Sequence, residues 1–293
     1  MAAAALDRQI LEALEEFAEQ PVAARRRLRE LIFAHEADPS AVCAAVLCGS
    51  EPSSATEFLA GLLAESGSLA PFVCDPMRCS FADARHLSAL ALRRISAFDA
   101  EVLRYAMSLG SACNAALTRA FALLRTLESG PRLLPSLMQL MRSSNRNVRA
   151  DAALLIARVK RDPEWVRKCT EDADSRVRAQ AVEGLWGVAS ADAVDLFRHA
   201  ARDPHHRVSA NAIVGLHLAG VNIVQHLDHM TTHDDPFFRA AAAFAMGECG
   251  CPEFESRLRQ MVGSPISMVR RCAIRALVRI RKRVPNPSVN LDS

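Results

Sequence analysis

Apolar residues in the second half of the chain follow a ten-residue pattern that returns at a nearly constant interval. Its copies begin at Asn147 (NVRADAALLI), Arg176 (RVRAQAVEGL), Arg207 (RVSANAIVGL), Phe237 (FFRAAAAFAM) and Met268 (MVRRCAIRAL). Taking the second residue of each copy as its reference position, the intervals are 29, 31, 30 and 31 residues. Two weaker copies lie upstream, with reference positions Leu87 and Thr118. This periodicity indicates an array of structural repeats.

Two alternating helices explain the apolar positions of each repeat. An alanine stands four residues after every reference position: Ala91, Ala122, Ala152, Ala181, Ala212, Ala242 and Ala273. Apolar positions 0, 4, 5 and 8 residues after the reference share one helix face, and a constant small residue there indicates a closely crossing helix. A second apolar series precedes the reference positions by eleven residues: Met107, Leu137, Val166, Phe197, Leu227 and Leu258. The sequence therefore predicts an all-α fold of paired helices.

Polar residues mark where the second helix of each pair begins. Asn145, Asp174 and Asp235 can accept hydrogen bonds from the first free amides of that helix. An arginine follows most reference positions: Arg119, Arg149, Arg178, Arg239 and Arg270, with Ser209 among the exceptions. This pattern resembles the HEAT repeat family, in particular the short bacterial HEAT-like repeats of the phycobilin lyase subunit type, over about residues 83–283. The resemblance implies an armadillo-like α-solenoid in which Asp174 with Arg178, and Asp235 with Arg239, help to tie neighbouring repeats together.

Three regions are predicted along the chain. Residues 1–80 lack the repeat signature but predict helices at about 4–19, 22–35, 40–48 and 54–65. We expect diverged capping repeats here, and a separate partner-binding module is the alternative. The stretch from Gly67 to Ser80, interrupted by Pro71 and Pro76, is predicted to be an irregular joint. Residues 81–284 form the array, and residues 285–293 are predicted to be a disordered tail.

Composition and charge narrow the classes of partner and the cellular location that we expect. The net charge of +3 does not by itself indicate a nucleic-acid or membrane partner, and 33 arginines against 3 lysines are typical of a GC-rich bacterial genome. The chain begins with an acidic helix instead of a signal sequence and has no apolar run long enough to span a bilayer. With nine cysteines interpreted as reduced thiols, we expect a soluble, cytoplasmic monomer without a cofactor.

Histidine and cysteine clusters are the candidates for chemistry. Seven of the nine histidines lie between His199 and His233, and His199, His229 and His233 are weak candidates for a metal site. The alternative is an exposed polar row, because the column of His199 and His229 continues as Lys168 and Gln260. The pairs Cys43–Cys48 and Cys74–Cys79 have marginal zinc spacing. Burial as small apolar residues is the better interpretation of the cysteines.

An enzyme built from HEAT repeats would have recognisable metal-binding or catalytic residues in its sequence. Deoxyhypusine hydroxylase binds iron through repeated His-Glu dipeptides, whereas this chain has the single pair His35-Glu36 outside the clear repeats. The HEAT-like alkylpurine DNA glycosylases use Trp and Asp on a basic face, and the surroundings of Trp165 and Trp186 show no matching motif. We therefore expect no enzymatic activity.

The predicted function is a scaffold that binds a protein or peptide on the concave surface lined by second helices. The candidate contact residues are Trp186, Val214, Leu218 and Phe244 as exposed apolar positions, Arg275 at the inner-surface position six residues after its reference, and Arg158, Glu248 and Arg279 as a charged rim. The alternative is that the superhelical twist turns these apolar residues into the core, because the position six residues after the reference borders the buried stripe. Nucleic-acid binding through the basic C-terminal repeat, with Arg271, Arg275, Arg279 and Arg283 at intervals of four residues, is the alternative. A bilin lyase-like or chaperone role is a third interpretation.

Overall fold

The computed structural model describes residues 2–34, 40–48, 50–110, 114–127 and 130–283, and this part of the chain is all-α, with no strand. Two short 3-10 helices, Pro131–Leu133 and Pro252–Phe254, accompany the α-helices. The chain divides into two compact units, residues 1–139 and residues 140–293.

Unit 1 is a two-layered stack of short helices. Its helices are α1 (Ala2–Glu15), α2 (Pro21–Ala34), α3 (Ser40–Cys48), α4 (Ser54–Glu65), α5 (Leu69–Cys74), α6 (Phe81–Arg94), α7 (Phe98–Ser108), α8 (Asn114–Leu124) and α9 (Leu134–Leu140). From α1 to α8, each helix packs against the next but one, and each except α2 also packs against the helix that follows it, so odd-numbered and even-numbered helices form separate layers. This is the packing expected of stacked helix pairs.

The structure corrects the prediction for residues 67–80. Pro71 is the third residue of helix α5, where a missing amide hydrogen costs no intrahelical hydrogen bond. Leu69, Phe72 and Val73 of this helix are buried in a core that extends from Leu6 to Leu123. The boundary predicted near residue 80 therefore lies inside a compact unit. The interpretation of residues 1–80 as diverged capping repeats remains a prediction.

Unit 2 contains the clear repeats. Its helices are α10 (Arg146–Lys160), α11 (Pro163–Cys169), α12 (Ser175–Gly184), α13 (Ala191–Ala200), α14 (His206–Leu218), α15 (Val224–Thr231), α16 (Pro236–Cys249), α17 (Glu255–Val262) and α18 (Ser267–Arg283). The even-numbered helices are the predicted second helices, and they pack against one another in sequence from α10 to α18. The fold of this unit is an α-solenoid.

Burial confirms the repeat register in unit 2. The alanines four residues after the reference positions, Ala152, Ala181, Ala212, Ala242 and Ala273, are all 0% exposed. The apolar positions of the first helices, Val166, Phe197, Leu227 and Leu258, are also fully buried. Apolar side chains therefore meet between the layers, as the periodicity predicts.

The register predicted for the copy at Thr118 is wrong. Thr118 is exposed and Ala122 is only partly buried. A frame starting two residues earlier buries all four positions of the helix face: Ala116, Ala120, Phe121 and Leu124. Alanines stand in both frames, and the frame that buries Phe121 removes more apolar area from water.

Close helix contacts explain a glycine that the sequence analysis overlooked. A Cβ atom at Gly184 would lie 2.5 Å from the carbonyl oxygen of Leu154 on the preceding second helix. Helix α12 therefore approaches α10 so closely that the Gly184 position has no room for a side chain.

The helix caps are as predicted, but the arginine contacts differ. Asn145, Asp174 and Asp235 each accept a hydrogen bond at the N-terminus of a second helix. Arg149, Arg178, Arg239 and Arg270 each donate to two carbonyl oxygens of the turn that precedes their own helix.

The carboxylate partner of Arg178 belongs to the next repeat. Arg178 forms two hydrogen bonds of 2.8 and 3.0 Å with Asp203, and not with Asp174. The implied pairing of Asp235 with Arg239 is likewise absent among the described contacts, because the Asp235 carboxylate caps Phe237 while Arg239 binds carbonyl groups. The ion pair that Arg178 makes with another repeat is thus Arg178–Asp203.

Some predictions lie outside the described residues, namely the tail at residues 285–293 and the His35-Glu36 pair. Within the described residues, no helix combines the length and the apolar character needed to cross a membrane.

Candidate partner-binding face

The predicted contact residues occupy the second helices and the turns that follow them. Leu218 is the last residue of α14 and Phe244 lies in the middle of α16. Both are exposed, Leu218 by 49% and Phe244 by 38%. These two large apolar side chains are the centre of the candidate site, which we call the Phe244 face.

The prediction that Val214 is exposed is wrong. Val214 is 2% exposed, and Leu154 at the equivalent position of α10 is 0% exposed. The position six residues after the reference borders the buried stripe of each second helix, so its exposure differs from repeat to repeat. Along unit 2 this position is buried at Leu154, partly buried at Glu183, buried at Val214 and exposed at Phe244 and Arg275.

Trp186 belongs partly to the core. Its indole Nε1 donates a hydrogen bond of 2.8 Å to the carbonyl oxygen of Asn211 on α14, which fixes the ring across two repeats. The Asn211 amide in turn donates to the carbonyl oxygen of Ala179 at 2.9 Å. Trp186 is half-buried and packs against the core of unit 2. It can therefore offer one edge of a held ring to a partner.

The charged residues predicted for the Phe244 face lie on α10, α16 and α18. Arg158 and Arg275 are exposed, and the Glu248 carboxylate pairs with both Arg279 and Arg283. Arg283 also donates to the Glu248 carbonyl oxygen. The predicted basic stripe is therefore divided, because Arg279 and Arg283 bind Glu248 and only Arg271 and Arg275 make no ion pair with a described residue.

The histidine segment is mainly a row of ring contacts at the surface. His229 and His233 do not share a helix, because α15 ends at Thr231. The His233 ring stacks on Phe238 at 4.2 Å between centroids, and the His229 ring lies 5.9 Å from His233. His199 and His229 are exposed, as are Lys168 and Gln260 in the same column. Within the described residues, no three His, Cys, Asp or Glu side chains are grouped so as to hold a metal ion.

His205 and His206 form a contact that the sequence did not predict. Their rings stack at 4.4 Å, and the His206 ring also stacks on Phe237 at 5.3 Å. His205 takes the capping position held by aspartate in other repeats, and its Nδ1 accepts from the Arg207 amide at 3.3 Å. Burial lowers the pKa of both His205 and His206 below the usual value.

Half of the eight described cysteines are buried thiols. Cys43, Cys74, Cys79 and Cys169 are buried, whereas Cys48 is exposed. Burial raises the pKa of Cys169 and of Cys249 to about 12, which keeps both thiols protonated at neutral pH. Sequence spacing gave no sign of one contact, between Cys251 Sγ and His217 Nε2 at 3.5 Å, because the two residues belong to different repeats. Burial raises the pKa of Cys251 as well.

The sequence analysis also missed an exposed apolar pair on the last helix. Ile274 and Val278 of α18 are each 48% exposed, although Ile274 occupies the position that is buried at Ala153, Val182, Ile213 and Ala243. The available signal was their place in the last recognisable copy of the repeat.

The fold and the register of unit 2 define an all-α repeat protein whose second helices form one continuous layer. A family model described as HEAT repeats matches residues 163–220 and 223–288. HEAT repeats are therefore present in residues 163–288. A search of curated proteins gave no match.

Proposed function

We propose that unit 2 is a non-enzymatic scaffold that binds a protein or peptide through the Phe244 face. The observation that carries this proposal is the exposure of Phe244, a large aromatic side chain. At the equivalent position of the other second helices of unit 2, six residues after the reference, the residue is buried or polar. HEAT repeats provide long surfaces of stacked helices that suit protein recognition, and residues 163–288 match that family.

The chemistry of the face suits a mixed apolar and polar partner. Burying the exposed parts of Phe244 and Leu218 would supply apolar contact, since aromatic and aliphatic anchors dominate binding energy at interfaces. Arg158 and Arg275 can pair with carboxylates of the partner at the rim of the face. The fixed ring of Trp186 loses little conformational freedom on binding.

Replacing Phe244 tests the proposal. The full chain and the Phe244→Ser variant are used as bait in native lysate, and captured proteins are identified by mass spectrometry. The leading protein is then purified and its affinity for each bait is measured. We expect Phe244→Ser to lower the affinity about tenfold or more. Truncating a hot-spot residue of an interface costs about 2 kcal/mol or more of binding free energy.

Phe237 offers a matched control. It is a phenylalanine of the same helix and is 50% exposed, but it lies in the first turn of α16, next to His206. Phe237→Ser should leave partner affinity unchanged, and both variants should keep a nearly unchanged melting temperature. Equal loss of affinity in the two variants, or loss of binding only with loss of fold, would contradict the proposal.

Nucleic-acid binding is the second candidate function. The observation that favours it is the exposed basic surface of α18, where Arg271, Arg275, Arg281 and Lys282 make no ion pair with a described residue. A nucleic-acid complex would weaken steeply with added salt, and Arg271→Gln with Arg275→Gln would flatten that dependence. A gel shift with DNA and RNA at low salt measures this, and the absence of any shift excludes the candidate.

A further inference from the structure

Helix α18 ends the layer of second helices in unit 2. Helices α12, α14 and α16 each pack between two other second helices, whereas α18 packs against α16 and the first helix α17. Among the described residues no helix follows α18. The geometry points to a binding site on its outer face, and we propose that this face binds an acidic amphipathic helix of a partner protein, which occupies the place of one further second helix.

The repeat register shows which residues would meet such a helix. Positions two and five residues after the reference are buried by neighbouring second helices in the inner repeats, as Ala179 and Val182 are in α12. In α18 the equivalent residues, Arg271 and Ile274, are exposed. Val278 lies one turn beyond Ile274 on the same side and is equally exposed. We call this surface the end face: Arg271, Ile274, Arg275, Val278, Arg281 and Lys282.

The spacing of the end face is that of a helix contact. Each of its residues has another three or four positions away along α18, so they share one side of the helix. Ile274 and Val278 are about one turn apart on this side, with Arg271, Arg275 and Lys282 at one edge and Arg281 at the other. A second helix with apolar residues at the same spacing can pack on this row, as second helices do throughout unit 2.

The charge of the end face selects an acidic partner. The chain has nine basic residues and no acidic residue between Arg257 and Arg283. The carboxylate that α18 does meet, Glu248, is bound by Arg279 and Arg283, outside the end face. Two apolar side chains of the end face are accompanied by four cations that make no ion pair with a described residue. This combination favours a partner helix with glutamate or aspartate beside its apolar stripe.

Exposed aliphatic groups favour a helix over a nucleic acid. Phosphates would engage the arginines but would leave Ile274 and Val278 without apolar contact. Single-stranded nucleic acids stack their bases on aromatic side chains, and the end face contains none. The end face shares Arg275 with the Phe244 face, but its apolar residues Ile274 and Val278 do not belong to that face. The variants that test the end face leave Arg275 unchanged, so the two proposals can fail independently.

A synthetic peptide can probe the end face directly. The probe has the sequence of residues 267–283, with Cys272→Ser and with the six basic residues from Arg271 to Arg283 replaced by glutamate. It keeps the apolar stripe of a second helix and carries negative charge beside it. Binding of the fluorescently labelled probe to the full chain is followed by anisotropy, and hydrogen exchange in residues 267–283 locates the contact.

Matched controls separate the contributions of apolar contact and of charge to binding of the probe. A second peptide keeps the glutamates but has serine in place of the apolar residues. We expect its affinity for the chain to be lower by about tenfold or more. In the full chain, Ile274→Asp with Val278→Asp should abolish probe binding, and Arg271→Glu with Arg281→Glu should weaken it about tenfold. The exposed Met77, in unit 1, serves as control, and Met77→Asp should leave binding unchanged.

Five results would overturn the proposal. The first is no binding of the acidic probe at low salt, and the second is equal binding of the peptide without apolar residues. The third is binding by a chain that ends at Arg283 but not by the full chain, which would assign the end face to residues 284–293. The fourth is self-association of the chain that Ile274→Asp abolishes, which would assign the face to a second copy. A DNA or RNA oligonucleotide that competes fully with the probe at equal charge would also count against a helix partner.

Discussion

At the scale of residues, the ion pair between Arg178 and Asp203 joins two repeats through largely buried side chains. The side chains are 14% and 11% exposed, and the two hydrogen bonds give the pair a bidentate geometry. Hydrogen bonding to Asp203 raises the pKa of Arg178 above its usual value, so the guanidinium stays charged. The pair replaces the contact with Asp174 that the family resemblance had implied.

Removing Arg178 should destabilise the fold strongly. Arg178→Ala leaves the Asp203 carboxylate nearly buried without its cation, and we expect a loss of about 3 kcal/mol in the free energy of unfolding. Arg149→Ala is the control, because Arg149 holds the same position but donates to two carbonyl groups of its turn. Urea denaturation measures both, and equal losses in the two variants would show that the ion pair adds nothing.

His205 predicts how stability depends on pH. Burial lowers the pKa of His205 and His206 in the folded state, so the folded chain binds fewer protons than the unfolded chain below about pH 6.5. Stability is therefore full above that pH and falls as the pH drops towards 5, where protonation also removes the acceptor for the Arg207 amide.

Replacing His205 by the aspartate found in other repeats tests this dependence. We expect His205→Asp to reduce the loss of unfolding free energy between pH 7 and pH 5, because Asp174 and Asp235 cap equivalent helices. His199→Asn, at an exposed site, should leave the dependence unchanged. An identical pH profile for wild type and His205→Asp would contradict the argument.

At the scale of elements, the alanine series sets the distance between neighbouring second helices. Ala181 is 0% exposed in the face that helix α12 turns to the core. Ala181→Leu should lower the free energy of unfolding by about 1 to 3 kcal/mol through overpacking. Ala122→Leu should cost much less, since Ala122 lies outside the buried frame of α8. Similar denaturation midpoints for the wild type and Ala181→Leu would show that the register is wrong.

The sequence predicted the helix pairs of unit 2 well because each repeat buries the same positions against its neighbours. Five alanines, from Ala152 to Ala273, and the matching first-helix positions were placed correctly. The predicted register failed at Thr118, because an alanine-rich helix allows two frames. Helix α5 was not predicted, because the sequence does not show that Pro71 lies in the first turn of a short helix.

The candidate site was less predictable than the fold. Phe244 and Val214 occupy the same position in successive repeats, yet one is 38% and the other 2% exposed. The position borders the buried stripe, and its exposure depends on side chains from adjacent repeats, such as the Trp186 ring held against α14. Periodicity alone does not contain that information. The exposure of Ile274 and Val278 depends in the same way on the absence of a following repeat among the described residues.

At the scale of the whole molecule, two surfaces of unit 2 are proposed for partners, and no site for chemistry is proposed. The Phe244 face lies along the layer of second helices, and the end face lies on α18. The grouped histidines contact aromatic rings, and buried cysteines have raised pKa values. These features favour a scaffold that holds a protein or peptide.

Site-specific photo-crosslinking at position 244 tests the central proposal most directly. The photoreactive amino acid p-benzoylphenylalanine replaces Phe244 in one full-length variant and Phe237 in another, since both side chains are exposed on α16. After irradiation in native lysate, we expect a discrete adduct with one protein at position 244 and none of that mass at position 237. The same adducts at both positions, or no adduct at position 244 in a chain that melts normally, would contradict binding at the Phe244 face.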